Sequence, residues 1–192
     1  RTNTTLPTPL PSNYSLSYGR VVSYKKFNLV LEAAAELNMP FVLIGDGPAL
    51  KTIKKRAAQL QQIKPGLQFY FLPHQSKEDL SNYILNAAAV VFPAEEDFGI
   101  SQAESMISGA RVVINKQSGA AEIAVNLPKQ HKHIYIIKNT SIEEIKTAIV
   151  TLASLPANAS INSNHLTKYD YGSFKESFKH RVYTLWKEWR TL

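Results

Sequence analysis

The 192 residues include 22 Lys and Arg against 15 Asp and Glu, a net charge of +7, with 44% hydrophobic and 19% charged residues and no cysteine. These values describe a folded globular chain, one sizeable domain or a domain with appendages. They exclude disulfides, thiol catalysis and cysteine-based zinc sites, and they fit a reducing compartment. No apolar run approaches the roughly 20 residues that span a bilayer. The basic surplus is uneven: residues 1–115 carry eleven Lys/Arg against nine Asp/Glu, and residues 116–192 carry eleven against six. Such a balance favours anionic partners such as nucleotides, phospholipid headgroups or nucleic acid. There is no aromatic-plus-basic run of the kind used by single-strand binders.

Taken in chain order, residues 1–13 contain three prolines and read as an extended linker or an expression remnant. Residues 14–157 then alternate between two periodicities. Ser15–Tyr18 and Val21–Val22 flank a short strand end. Phe27–Leu37 is helical, with Leu29, Val30, Ala33, Ala34 and Leu37 on one face. Phe41–Ile44 is an apolar strand stopped by Gly45-Asp46-Gly47-Pro48. Ala49–Gln62 is a basic amphipathic helix, Leu67–Leu72 a strand, and Lys77–Ala87 a helix with Ser76 as N-cap. Ala88–Phe92 is a strand that runs into three consecutive acids. Ile100–Ser108 is a helix closed by Gly109. Arg111–Ile114 is a strand, Ala120–Val125 a short helix, Ile134–Ile137 a strand, and Ile142–Leu155 a helix capped by Ser141.

Short, wholly apolar strands separated by helices indicate an α/β fold: a Rossmann-like, doubly wound parallel sheet of about six strands. Its ligands bind outside the carboxyl ends of the strands. Residues 158–192 form a polar stretch and then C-terminal helical structure. Phe174, Phe178, Val182, Leu185, Trp186 and Trp189 share one face of it. That face reads as docking on the domain; the alternatives are a second domain or a membrane surface.

Four clusters fall at strand ends. Gly19-Arg20-Val21-Val22-Ser23-Tyr24-Lys25-Lys26 places Arg20 and Lys25 after a flexible Gly19, able to converge on one diphosphate. Gly45-Asp46-Gly47-Pro48 is a tight strand-to-helix turn, without the G-x-G-x-x-G spacing or the Lys of a P-loop. Pro73, His74 and Gln75 are placed to line a base pocket. The fourth cluster, Pro93 to Glu104, sets Glu96 and Glu104 on either side of a seven-residue gap. A continuous helix over residues 96–104 would hold these carboxylates roughly 12 Å apart along its axis. Glycoside hydrolases hold theirs at about 5 to 9.5 Å. The pair therefore fits a clamp on a ligand as long as a nucleotide sugar. Between the two acids, the amides of Gly99, Ile100 and Ser101 sit at a helix N-terminus that suits an anion. Asp97 belongs either to this site or to the helix cap. No metal-ligand spacing is visible; His131 and His133 lack a third ligand.

In this order the clusters resemble the C-terminal domain of GT-B glycosyltransferases of family GT4, the glycosyl transferases group 1 set. The matching features are Gly19-Arg20-(x4)-Lys25, Ile44-Gly45-Asp46-Gly47-Pro48-(x)-Leu50, Phe92 to Ile100 with Glu104, and Ser118-Gly119-Ala120-(x)-Glu122. The last stands where the family often has Gly-Gly before a Glu. The resemblance covers residues 15–190 and implies one half of a GT-B fold. It implies that Arg20 and Lys25 hold a donor diphosphate and that Glu96 binds hydroxyls of the donor hexose. Phe98, Gly99 and Ile100 would present backbone amides, Glu104 would bind the ribose, and Pro73, His74 and Gln75 would face the base.

The implied protein is the nucleotide-sugar half of a retaining, metal-independent glycosyltransferase of mannosyltransferase type. It would act in glycan, polysaccharide or glycolipid synthesis. A GDP- or UDP-linked sugar would be its substrate, with no cofactor and no nucleic-acid partner. It would be cytoplasmic, or peripheral at the inner, anionic face of a membrane. Family members are longer and carry an N-terminal acceptor-binding domain. This chain is therefore expected to be a fragment or half of a split enzyme, binding donor but transferring poorly or not at all. The alternatives are a non-catalytic nucleotide-sugar-binding or docking module and, less well matched, half of a GT-B epimerase or phosphorylase.

Overall fold

The computed structural model describes residues 8–126, 132–155 and 171–190. Residues 1–7 of the expected linker, His131, and the polar start of the tail at 158–170 lie outside the described residues. The chain divides into a larger unit, Arg1–Ile161, and a smaller one, Asn162–Leu192.

Six strands build the larger unit: β1 (Ser15–Tyr18), β2 (Phe41–Ile44), β3 (Phe69–Leu72), β4 (Ala89–Phe92), β5 (Val112–Asn115) and β6 (Ile134–Ile137). All are parallel, in the order β3-β2-β1-β4-β5-β6. Five helices connect them, α1 (Phe27–Glu36), α2 (Leu50–Ile63), α3 (Lys77–Asn86), α4 (Ile100–Ile107) and α5 (Gly119–Val125), and α6 (Ile142–Ala153) follows β6. In the smaller unit, α7 spans Tyr171–Arg190.

The strand sequences explain this layout. Every residue of β1, β2, β4 and β5 is buried, which requires cover on both faces of the sheet. Side chains alternate along each strand. Phe41, Leu43, Ala89, Val91 and Val113 face one way, into a single apolar cluster with Val30, Leu31 and Ala34 of α1, Ile53 of α2, and Ile145, Ala148 and Ile149 of α6. Their neighbours Val42, Ile44, Val90 and Phe92 therefore face the other way. Leu16 and Tyr18 pair in register with Val42 and Ile44, and the Tyr18 hydroxyl reaches α4. Helix α4 thus covers the second face, packed with α5.

The expected caps form: the hydroxyls of Ser76 and Ser141 accept from the amides of Asp79 and Glu144 at 3.1 and 3.2 Å. One expectation changes. Val21–Val22 is not strand but leads into a 3-10 turn, Ser23–Lys25. The helix after β4 begins at Ile100, as expected, because Gly99 is left-handed at φ +76° and no helical path runs back to Glu96.

The chain leaves β1 for β2 and β3 on one side and returns to β4 on the other. The order reverses between β1 and β4, and a crevice opens outside their carboxyl ends. Leu43 is fully buried in β2. Leu43→Ala is expected to lower stability by about 2 to 5 kcal/mol, read as a lower urea midpoint with an unchanged slope. An unchanged midpoint would mean that β2 is not central to this core.

Candidate functional site

One wall of the crevice is the segment after β1, held against the segment after β2. Gly19 N–H donates to Ile44 O at 3.0 Å, Val21 N–H to Asp46 O at 2.8 Å, and Ala49 N–H to Val21 O at 3.0 Å. Gly45, at φ +132°, makes this closeness possible, since a Cβ there would overlap the Gly19 carbonyl oxygen. The 3-10 turn then folds the chain back. Its last residue, Lys25, brings Nζ over Gly19, 3.6 Å from where a Cβ would stand.

The opposite wall is the segment after β4, and β5 and α5 hold it down. Asn115, the last residue of β5, donates from Nδ2 to Pro93 O at 3.0 Å and to Thr140 Oγ1 at 2.9 Å. Gly119 N–H donates to Glu96 O at 2.9 Å. A Cβ on Gly119 would overlap the Asp97 carbonyl oxygen, so only glycine lets α5 start this close. Ser118 Oγ donates to Gln102 Oε1 at 2.6 Å, joining the starts of α5 and α4. Across the crevice, Lys25 Nζ lies 3.0 Å from Glu96 Oε1, with side chains 14% and 22% exposed. Two residues to which the resemblance gives different parts of a ligand are therefore in direct contact.

Two adjoining cavities result, and they share Ser101. The larger, about 940 Å³, is lined by Gly19, Arg20, Gly45, His74, Gln75 and Glu104 among others. The smaller, about 310 Å³, is lined by Lys25, Glu96, Phe98, Gly99 and Ile100 with the first turn of α4. Arg20 and Lys25 thus serve different cavities. So do Glu96 and Glu104, since the helix begins too late to carry both. Pro73 lines neither cavity; its carbonyl accepts from Gln75 Nε2 at 2.8 Å. Asp97 does not cap α4, whose N-cap is Gly99 without a side-chain bond. Among the described residues no group of His, Asp and Glu is placed to hold a metal ion, and no helix is long and apolar enough to cross a membrane.

Tyr18 ends β1 and lines the larger cavity. Its hydroxyl donates to Ser101 O at 2.7 Å and lies 3.0 Å from Ser105 Oγ, and its ring meets Phe92 edge-on at 5.2 Å. These contacts join the switch-point strand to the first turns of α4. Burial pushes the hydroxyl up to about 12, with the Glu104 charge adding and the bonds to Ser105 and Ser101 opposing. The sequence reading missed Tyr18, Gln102, Asn115 and Thr140. Asn115 carried a usable signal, as the single polar residue of the apolar run Val112–Asn115.

Residues 4–171 match the family described as Glycosyl transferases group 1. The chain belongs to that family. An uncharacterized glycosyltransferase of Methanocaldococcus jannaschii is 25% identical over 117 residues, covering 59% of this chain and 32% of that protein. Anabaena Alr3699/HepE, solved in complex with UDP, has a similar fold, with a TM-score of 0.71 at 18% identity over 90% of this chain and 49% of that one. The catalytic domain of cholesterol-alpha-glucosyltransferase from Helicobacter pylori gives a TM-score of 0.64 at 18% identity, over 83% of this chain and 100% of that one. The C-terminal domain of a group 1 family protein from Francisella tularensis gives 0.61 at 18% identity, over 84% and 89%. The group 1 chain therefore has the fold of one GT-B half. It spans about a third of the curated relative and about half of the Anabaena chain.

The raised Tyr18 value has a definite sign. The fold favours the neutral phenol, so this contribution is whole below the ordinary value of 10 and is lost as pH rises from 10 towards 12. Wild type should lose more stability between pH 8 and pH 11 than Tyr18→Phe, measured as urea midpoints. Equal losses would show that the buried hydroxyl is not coupled to folding.

Proposed function

We propose that this group 1 domain binds the nucleotide-sugar donor of a retaining, metal-independent glycosyltransferase. The observation that carries the reading is the pair of adjoining cavities at the β1/β4 switch point. One is large enough for a nucleotide, and the other holds a cation, a carboxylate and the first turn of a helix. In this reading His74 and Gln75 face the base and Glu104 accepts from the ribose hydroxyls. Arg20 and Lys25 flank the diphosphate, and Glu96 accepts from hydroxyls of the hexose. The first amides of α4 add partial positive charge where the phosphates would lie. The fold likeness to the Anabaena protein, solved with UDP, agrees with this choice of ligand class.

The chemistry assigned to these residues is positioning and charge stabilisation. As the bond between sugar and diphosphate breaks, negative charge grows on the leaving phosphate, and fixed cations lower the cost of that charge. Transfer also needs an acceptor beside the sugar, and donor binding is the part of the reaction we assign to this chain. A non-catalytic nucleotide-sugar module would share the binding and lack the transfer. Fusion to an acceptor-binding half separates the two, since only the enzyme half gains activity.

UDP or GDP is expected to raise the melting temperature. Arg20 is exposed, so Arg20→Ala should fold normally. It should weaken binding by about 1.5 to 3 kcal/mol, the range for hydrogen bonds to a charged group. If neither nucleotide stabilises the wild-type chain, the proposal fails.

A further inference from the structure

The contact between Lys25 and Glu96 sets two requirements against each other. A phosphate gains from the Lys25 ammonium, yet that ammonium already lies 3.0 Å from a carboxylate. Any phosphate oxygen drawn to Lys25 must therefore approach a negative charge of its own sign. Glu96 cannot easily retreat. Its backbone is fixed, with the carbonyl held by Gly119 N–H and the start of the segment by Asn115, and its side chain is only 22% exposed. Lys25 is also confined, with its side chain only 14% exposed and Nζ lying over Gly19. The lining of the smaller cavity sets the one cation Lys25 against the carboxylates of Glu96 and Asp97, so a bare diphosphate finds no net attraction there. Hydroxyl groups change the balance, because they donate hydrogen bonds to a carboxylate.

We propose that Glu96 is a resident competitor for Lys25, which makes the site discriminate between a nucleoside diphosphate that carries a sugar and one that does not. This inference rests on the nucleotide-sugar reading above and deepens it. With a sugar in the smaller cavity, its hydroxyls donate to Glu96, and the carboxylate's hold on Lys25 relaxes towards the phosphate. Once the sugar has left, Glu96 takes Lys25 back and weakens the grip on the diphosphate. The pair thus favours entry of the sugar-bearing ligand and departure of the bare one. Glu96 acts on the phosphate through Lys25, and in that respect it is a positioning residue.

The test is calorimetric titration of the 192-residue chain with UDP and UDP-glucose, or with GDP and GDP-mannose if those bind more tightly. Wild type is compared with Glu96→Gln and Glu104→Gln. Glu96→Gln should bind the bare diphosphate about fivefold more tightly than wild type, the scale of one partly exposed charge contact. It should also lose most of the preference for the sugar-bearing ligand. Glu104→Gln removes a carboxylate from the other cavity and should not tighten diphosphate binding. The inference is overturned if Glu96→Gln binds the diphosphate no better than wild type, or if Glu104→Gln tightens it equally. If wild type binds neither pair of ligands, the nucleotide-sugar reading itself fails.

Discussion

Strands β1 and β4 lie side by side although β2 and β3 separate them in the chain, and the rest of the site depends on that pairing. A parallel sheet whose order reverses between two strands leaves their carboxyl ends with no connecting segment crossing above them. The segments that follow these strands then diverge and form facing walls. One wall carries Gly19, Arg20 and Lys25; the other carries Glu96, Gly99 and the start of α4. Neither wall stands alone. The first is zipped to the segment after β2, and the second is held by Asn115, Ser118 and Gly119. Tyr18 connects them underneath, linking β1 to the first turns of α4.

The fold was legible because the strands declare themselves. Phe41–Ile44 and Ala89–Phe92 have no polar side chain, and a strand buried on both faces belongs to a covered parallel sheet. The spacing of Phe27 to Leu37 and of Ile142 to Leu155 likewise marks the helices that cover it. The order of the motifs along the chain likewise resembles that of the group 1 family. The geometry of the site was less legible. A spacing taken along one continuous helix cannot place Glu96 against Glu104, because the left-handed Gly99 starts the helix only at Ile100. Arg20 and Lys25 looked like a pair on one ligand group, but the 3-10 turn between them sends them to different cavities. The Lys25–Glu96 contact joins residues far apart in the chain, and local periodicity cannot report it.

Opposite charges in contact at a candidate binding site carry a physical consequence. A cation left alone at a helix start binds anions strongly and releases them slowly. A cation shared with a fixed carboxylate binds anions only as strongly as the competition permits. In the group 1 chain that competition sits in the smaller cavity, while Arg20 and Glu104 lie in the larger one. In the proposed binding mode, the division would give the nucleotide and sugar portions of one ligand separate electrostatic surroundings within a single crevice.

A crystal structure of this chain with an intact nucleotide sugar tests the central claim most directly. The account predicts the nucleotide in the larger cavity beside His74 and Glu104, the hexose in the smaller cavity beside Glu96, and the diphosphate passing Ser101 between them. A ligand bound elsewhere, such as the cavity of about 700 Å³ between α1 and α2 that Glu32 and Arg56 line, would contradict it. So would a ligand bound in the reverse orientation.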